Sequence, residues 1–233
     1  MKAKFIRIIM VGTLLGMPII TTLPVQAAET SAVQRVYEIS DTEDRWAEIK
    51  YSMSDEKSQL QAFEKLAVQT DELMIAQPDD PAPKIWKATI LSTAASIQGG
   101  LAALPKVKES KKLLEEVIKT NPEALDGQAQ YILGALYYKV PGWPVAFGDD
   151  DAAEKYLVQA LRINPDNRDA NYFYGDFLRE EKQYEGAEKY LTRALNIADD
   201  QTSVAADGRR NEILDALEAV KETSNQKSYQ YKD

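Results

Sequence analysis

Neither cysteine nor histidine occurs anywhere in these 233 residues. Without thiols the chain can form no disulfide, run no thiol chemistry and ligate no Fe–S cluster or zinc thiolate. A lipid anchor on a cysteine behind an export signal is excluded for the same reason. Lack of histidine removes the commonest general base and the commonest transition-metal ligand. An enzyme built from this chain would have to work with carboxylates, Lys, Tyr or Ser. Positive charge is also in short supply, with 28 Lys and Arg against 37 Asp and Glu and a net charge of −9. That balance argues against nucleic acid and anionic membrane surfaces, which require basic patches. It leaves room for a basic protein partner. No phosphate-binding loop, dinucleotide fingerprint or nucleophile elbow is present. No cofactor, no metal site and no catalytic role are expected.

Long apolar runs are missing beyond the first twenty residues. Lys2, Lys4 and Arg7 precede a mostly apolar stretch from Ile8 to Ile20, and Val25-Gln26-Ala27 offers a small-residue cleavage site before Ala28. This is the pattern of an export signal cleaved near Ala27. Gly12, Gly16 and Pro18 make the stretch too short and too broken for a membrane span. Residues 28–55 read as a polar N-terminal extension, with a short helix from Asp41 to Tyr51 carrying Trp46, Ile49 and Tyr51. Residues 56–221 read as one helical domain, because apolar residues recur at helical spacing and no strand run appears. Residues 222–233 are polar and are expected to be disordered.

What the chain does contain is an internal echo. Ala153-Glu-Lys-Tyr-Leu-Val-Gln-Ala-Leu-Arg-Ile163 returns as Ala187-Glu-Lys-Tyr-Leu-Thr-Arg-Ala-Leu-Asn-Ile197, with eight of eleven residues identical at an offset of 34. Period and pattern resemble the tetratricopeptide repeat, a helix–turn–helix unit that stacks into solenoids. The expected fold is therefore all-α: a right-handed, tetratricopeptide-repeat-like helical solenoid with a C-terminal capping helix over about Val204–Val220. Gly175 falls where the two helices of a unit cross, facing Ala187, Leu191 and Ala194. The preceding unit has the same parts in the same order: Gly134, Ala153, Leu157 and Ala160. A more degenerate unit pairs a helix at Lys84–Gln98 with one at Val107–Lys119, and Gly99-Gly100 and Pro105 separate them. Gly175 to Ala187 is 12 residues, whereas Gly134 to Ala153 is 19, so seven residues are inserted between the helices of the earlier unit.

That insert is the leading site candidate, since insertions in solenoids map to loops on one face. Trp143 and Phe147 lie in it among Pro141, Gly142 and Pro144. Two readings stay open: a rigid lip over a groove or ligand, or a plug that packs on the helices. The repeat register also turns Gln128, Tyr131, Ala135 and Tyr138 of one unit, and Asp169, Tyr172, Asp176 and Arg179 of the next, toward the concave groove. Asn171 joins the set through the run Asn171-Tyr172-Phe173-Tyr174, whose aromatics cannot share one helix face. Tyrosines in a groove supply apolar area and orienting hydroxyls, or else they fill the superhelix interior. Arg209-Arg210 with Glu212 reads either as a carboxylate clamp or as a surface ion-pair set. Asp149-Asp150-Asp151 lacks the alternating oxygen ligands of a calcium loop and reads as a helix cap.

As a set, these residues resemble a known family. Leu133-Gly-Ala-Leu-Tyr-Tyr-Lys-Val-Pro-Gly-Trp-Pro144, Phe147-Gly-Asp149, Asn164-Pro-Asp166, Asn171-Tyr-Phe-Tyr-Gly-Asp-Phe-Leu178 and Asp207-Gly-Arg-Arg-Asn-Glu-Ile213 are similar to the T-component family of TRAP transporters. The resemblance implies a periplasmic helical repeat protein that assembles with a TRAP-type solute-binding protein and lines a pore or cavity for a small, hydrophobic ligand. Some members are lipoproteins and oligomeric, so a homo-oligomer is a further expectation, while the missing cysteine speaks against the lipid anchor. A second functional reading, independent of the resemblance, is an envelope-assembly protein that takes a peptide or helix into its concave groove.

Overall fold

The computed structural model describes residues 39–198 and 203–230. Residues 1–38, which hold the expected export signal and the start of the expected extension, lie outside the described residues. Among the described residues there are nine helices and no strand. The first, α1, is described over 39–52. It is followed by α2 (Glu56–Ala76), α3 (Ala82–Gln98), α4 (Leu104–Thr120), α5 (Gln128–Lys139), α6 (Asp150–Ile163), α7 (Arg168–Glu180), α8 (Tyr184–Asn196) and α9 (Val204–Gln230).

Side-chain caps fix several starts. Asp55 accepts from the Ser58 amide at 2.8 Å, Asp149 from Ala152 at 2.9 Å and Asn167 from Ala170 at 2.9 Å. Each satisfies one amide that a helix end leaves without a partner. The acidic run at 149–151 is thus a cap and a first turn. Pro105 opens α4 rather than closing the element before it, because proline has no amide to lose in a first turn.

The repeat crossings take the expected form. A Cβ on Gly134 would stand 2.7 Å from Leu157 Cγ, and one on Gly175 would stand 2.7 Å from Leu191 Cγ. Ala153, Ala160, Ala187 and Ala194 are fully buried at the same contacts. The turns before the two units echo each other as well. Gln130 donates its amide to the Pro122 carbonyl at 2.5 Å, and Asn171 donates to the Pro165 carbonyl at 2.8 Å.

Two departures concern the ends. The helix expected at 41–51 runs over 39–52 and packs into the helical domain. Trp46, Ala47 and Ile49 share a core with Phe63, Leu66, Trp86 and Ile90 from α2 and α3. Gln59 locks the end of α1 by donating to the carbonyls of Ile49 at 3.0 Å and Met53 at 2.7 Å. At the other end, α9 continues to Gln230 where a disordered tail was expected from 222. No Gly or Pro follows Gly208 within that helix, and extending a seeded helix costs far less than starting one.

The position of α1 decides the architecture of the interior. Its Trp46 lies edge-on to Trp86 at 6.0 Å and donates to Thr93 Oγ1 at 2.9 Å, both on α3. Its C-terminal end reaches α9, where Lys50 pairs with Glu212 at 2.7 Å and the Tyr51 hydroxyl donates to Glu212 at 3.2 Å. A Cβ on Gly208 would fall inside the Tyr51 ring's contact distance, so glycine allows this close approach. The first helix therefore bridges the two ends of the helical stack.

Candidate functional site

A cavity of 1130 Å³ lies inside this bridge. Its walls come from α3, the start of α4, α5, α7 and the start of α9, and α1 contributes Ile39, Glu43, Trp46, Lys50 and Tyr51. Of the outer helices of the repeat stack, α6 and α8 contribute nothing to the wall, and α4 contributes only Leu104 and Val107 from its first turn. The lining is mainly apolar, with Trp46, Trp86, Ile132, Leu136 and Phe173 among its members. The volume lies at or above the upper end of the range for small-molecule sites. Leu101 and Val145, both exposed, stand at its edge.

Charged groups are concentrated where α1, α7 and α9 meet. Arg209 is buried; its Nε donates to Asp169 at 2.6 Å and its Nη1 to Glu212. Its guanidinium also lies 4.5 Å from the Tyr172 ring centre and 5.0 Å from that of Phe173. Burial would lower the Arg209 pKa, but Asp169 and Glu212 outweigh it, so the charge is held more firmly than usual. Lys50 behaves in the opposite way. Burial and the Arg209 charge lower its pKa to about 8, against the pull of Glu212. The Tyr131 hydroxyl reaches Asp169 at 3.4 Å and its ring stacks on Phe173 at 5.6 Å. Burial, then the Asp169 charge, pushes that phenol well up.

A second polar set joins α5 to α7. Asp176 accepts from the Tyr138 hydroxyl at 2.8 Å and from Arg179 at 2.7 Å, and pairs with Lys139 at 2.7 Å. Burial alone would raise the Asp176 pKa, but Lys139 and these hydrogen bonds outweigh it and hold the carboxyl below its ordinary range.

Of the residues singled out from sequence, Gln128, Tyr131, Ala135, Asp169 and Arg209 line the cavity. Tyr138, Tyr172, Asp176 and Arg179 knit the same inner helices together outside its lining. Asn171 is fully buried, and its amide donates to the Pro165 and Asn167 carbonyls at 2.8 Å each. It holds a turn and presents no surface to a ligand. The insert divides between its two readings. Phe147 is partly buried edge-on to Tyr137 at 5.6 Å, with Lys111 over its ring, and packs as a plug. Pro141 and Val145 border the cavity. Trp143 is 90% exposed and borders nothing there. Arg209 is neither a free clamp nor a surface pair, because the turn toward α7 commits it to internal carboxylates. Sequence reasoning missed the contribution of α1, above all Glu43, Trp46 and Lys50. Their only signal was the amphipathic stretch Asp41–Tyr51, which does not say what it will face.

Residues 145–207 match the family described as Tetratricopeptide repeat. The match covers the insert's end, α6, α7 and α8, and agrees with the helical repeat solenoid seen in the structure. Among solved structures the chain is similar to one named MamA AMB-1 P212121, at 17% identity and a TM-score of 0.38, over 83% of this chain and 93% of that one. No curated protein matches the sequence.

Proposed function

We propose that this is an exported, periplasmic tetratricopeptide-repeat scaffold that holds one small, largely apolar molecule in the cavity behind α1 and works with a TRAP-type solute-binding protein. The observation that carries the reading is an apolar-lined space of 1130 Å³ between the inner helices and α1, which covers it in part. Repeat solenoids use their concave faces for binding, and here that face is partly roofed into a pocket of small-molecule dimensions. Partner and compartment rest on the motif resemblance through Tyr137-Tyr138-Lys139-Val140-Pro141-Gly142-Trp143-Pro144 and on the Lys2–Ala27 signal pattern. The alternative, a peptide or helix in the groove, is disfavoured by α1 itself. An outside helix would have to displace Trp46 from its contacts with Trp86 and Thr93. Binding, rather than catalysis, is the role assigned.

The test is affinity capture of the full chain from an envelope extract, followed by native mass spectrometry. A co-purifying solute-binding protein and one extra small-molecule mass per chain are expected. Recovery of neither would overturn the proposal. Recovery of a non-transport protein on the groove, lost on changing Tyr172→Ala, would favour the alternative.

A further inference from the structure

One carboxylate of the cavity lining has no ion pair among the described residues, and its place suggests a ligand class. Two of its cations are tied to carboxylates within the chain: Lys50 to Glu212 at 2.7 Å, and Arg209 to Asp169 at 2.6 Å and to Glu212. Lys139, at the far side, pairs with Asp176 at 2.7 Å. Arg168 turns its guanidinium to the Ile197 carbonyl. Glu43 lines the same cavity from α1, one turn before Trp46 and two before Lys50. Among the described residues no cation stands within ion-pair distance of it. The charges that act on it most are acidic, Asp169 on α7 and then Asp44 beside it. Burial, and then these two like charges, raises its pKa, as expected for a carboxylate without a counter-charge.

The surroundings suit a cation. Tyr131, Phe173, Trp46 and Trp86 all face this space. The chain already places its own cations over such rings, with Lys50 5.1 Å from the centre of Trp46 and Arg209 5.0 Å from that of Phe173. Aromatic faces beside an uncompensated carboxylate are the ordinary means of holding an ammonium group. The opposite ligand charge is disfavoured, since an anion would meet Glu43 and Asp169 while the nearby Lys50 and Arg209 are already engaged.

Resting on the cavity reading above, we infer that the ligand is an apolar molecule carrying a positively charged nitrogen, with its chain against Ile132 and Leu136 and its ammonium at Glu43. Loading the uncharged dye N-phenyl-1-naphthylamine and displacing it at neutral pH with decylamine, decanol or decanoate tests this. Decylamine is expected to displace the dye at a concentration about tenfold below decanol, with decanoate the weakest. Glu43→Gln should bring decylamine to within about threefold of decanol, whereas Glu48→Gln, on the same helix and equally exposed but outside the lining, should retain the tenfold preference. Melting of each variant followed by circular dichroism confirms the fold. If the dye and all three competitors fail to bind, the cavity reading falls and takes this inference with it. Equal competition, or a preference for decanoate, overturns the head-group assignment and leaves the cavity reading standing. A preference that survives Glu43→Gln, or that Glu48→Gln abolishes, overturns the role of Glu43.

Discussion

Gly175 carries no side chain because Leu191 occupies the place where one would go, and Gly134 stands in the same relation to Leu157. A methyl group added at either site would meet the Leu Cγ at 2.7 Å and backbone atoms at 3.1 Å or 3.2 Å. Gly175→Ala and Gly134→Ala are therefore each expected to lower unfolding free energy by about 1–3 kcal/mol in urea titrations. Similar losses would identify the two crossings as copies of one joint. Lys50 offers a residue-scale test of the charged end of the cavity. Its pKa is about 8 in the folded chain and roughly 10.4 when unfolded. Between those values the unfolded chain binds more protons, so the Lys50 contribution to stability rises with pH over that window. Relative to Lys50→Met, wild type should gain on the order of 2 kcal/mol between pH about 7.5 and about 10. A flat difference would mean that the amine is charged as freely in the native state as in water.

Helices α5 to α8 were legible because the 34-residue echo, the Gly–Ala–Leu joints and the Asn-Pro turns recur in the same order in both units. Their contacts are local in the chain, so the pattern that forms each helix also names its neighbour. The location of α1 was not legible. Trp46 and Tyr51 show that the helix has an apolar side, but the faces they meet are on α3 and α9, and the latter lies more than 150 residues away. The insert was half legible: its aromatics announced an ordered loop, but only packing separates Phe147, held against Tyr137 and Lys111, from Trp143 in solvent. Phe147→Ala is accordingly expected to cost about 2 kcal/mol of unfolding free energy. Trp143→Ala should stay within about 0.5 kcal/mol. Thermal or urea unfolding of the two variants checks the assignment. Equal losses would mean that Trp143 has a packing partner in the folded chain.

For the whole molecule, the consequential step is partial closure. A repeat stack alone presents an open groove, but α1 crosses from Trp86 and Thr93 on α3 to Gly208 and Glu212 on α9 and covers that groove in part. Gly208→Ala pushes a methyl group into the Tyr51 ring and is expected to lower the melting temperature by several degrees, the equivalent of about 1–2 kcal/mol. The central claim is that the space beneath α1 accepts a ligand, and filling it is the most direct test. Ala135 lines the cavity from α5 and is only partly buried, so Ala135→Trp puts an indole into the space without overpacking the core. Fluorescence titration with N-phenyl-1-naphthylamine should show one site per wild-type chain and at least about tenfold weaker binding to Ala135→Trp at an unchanged melting temperature. Equal binding by both proteins, or none by wild type, would contradict the account.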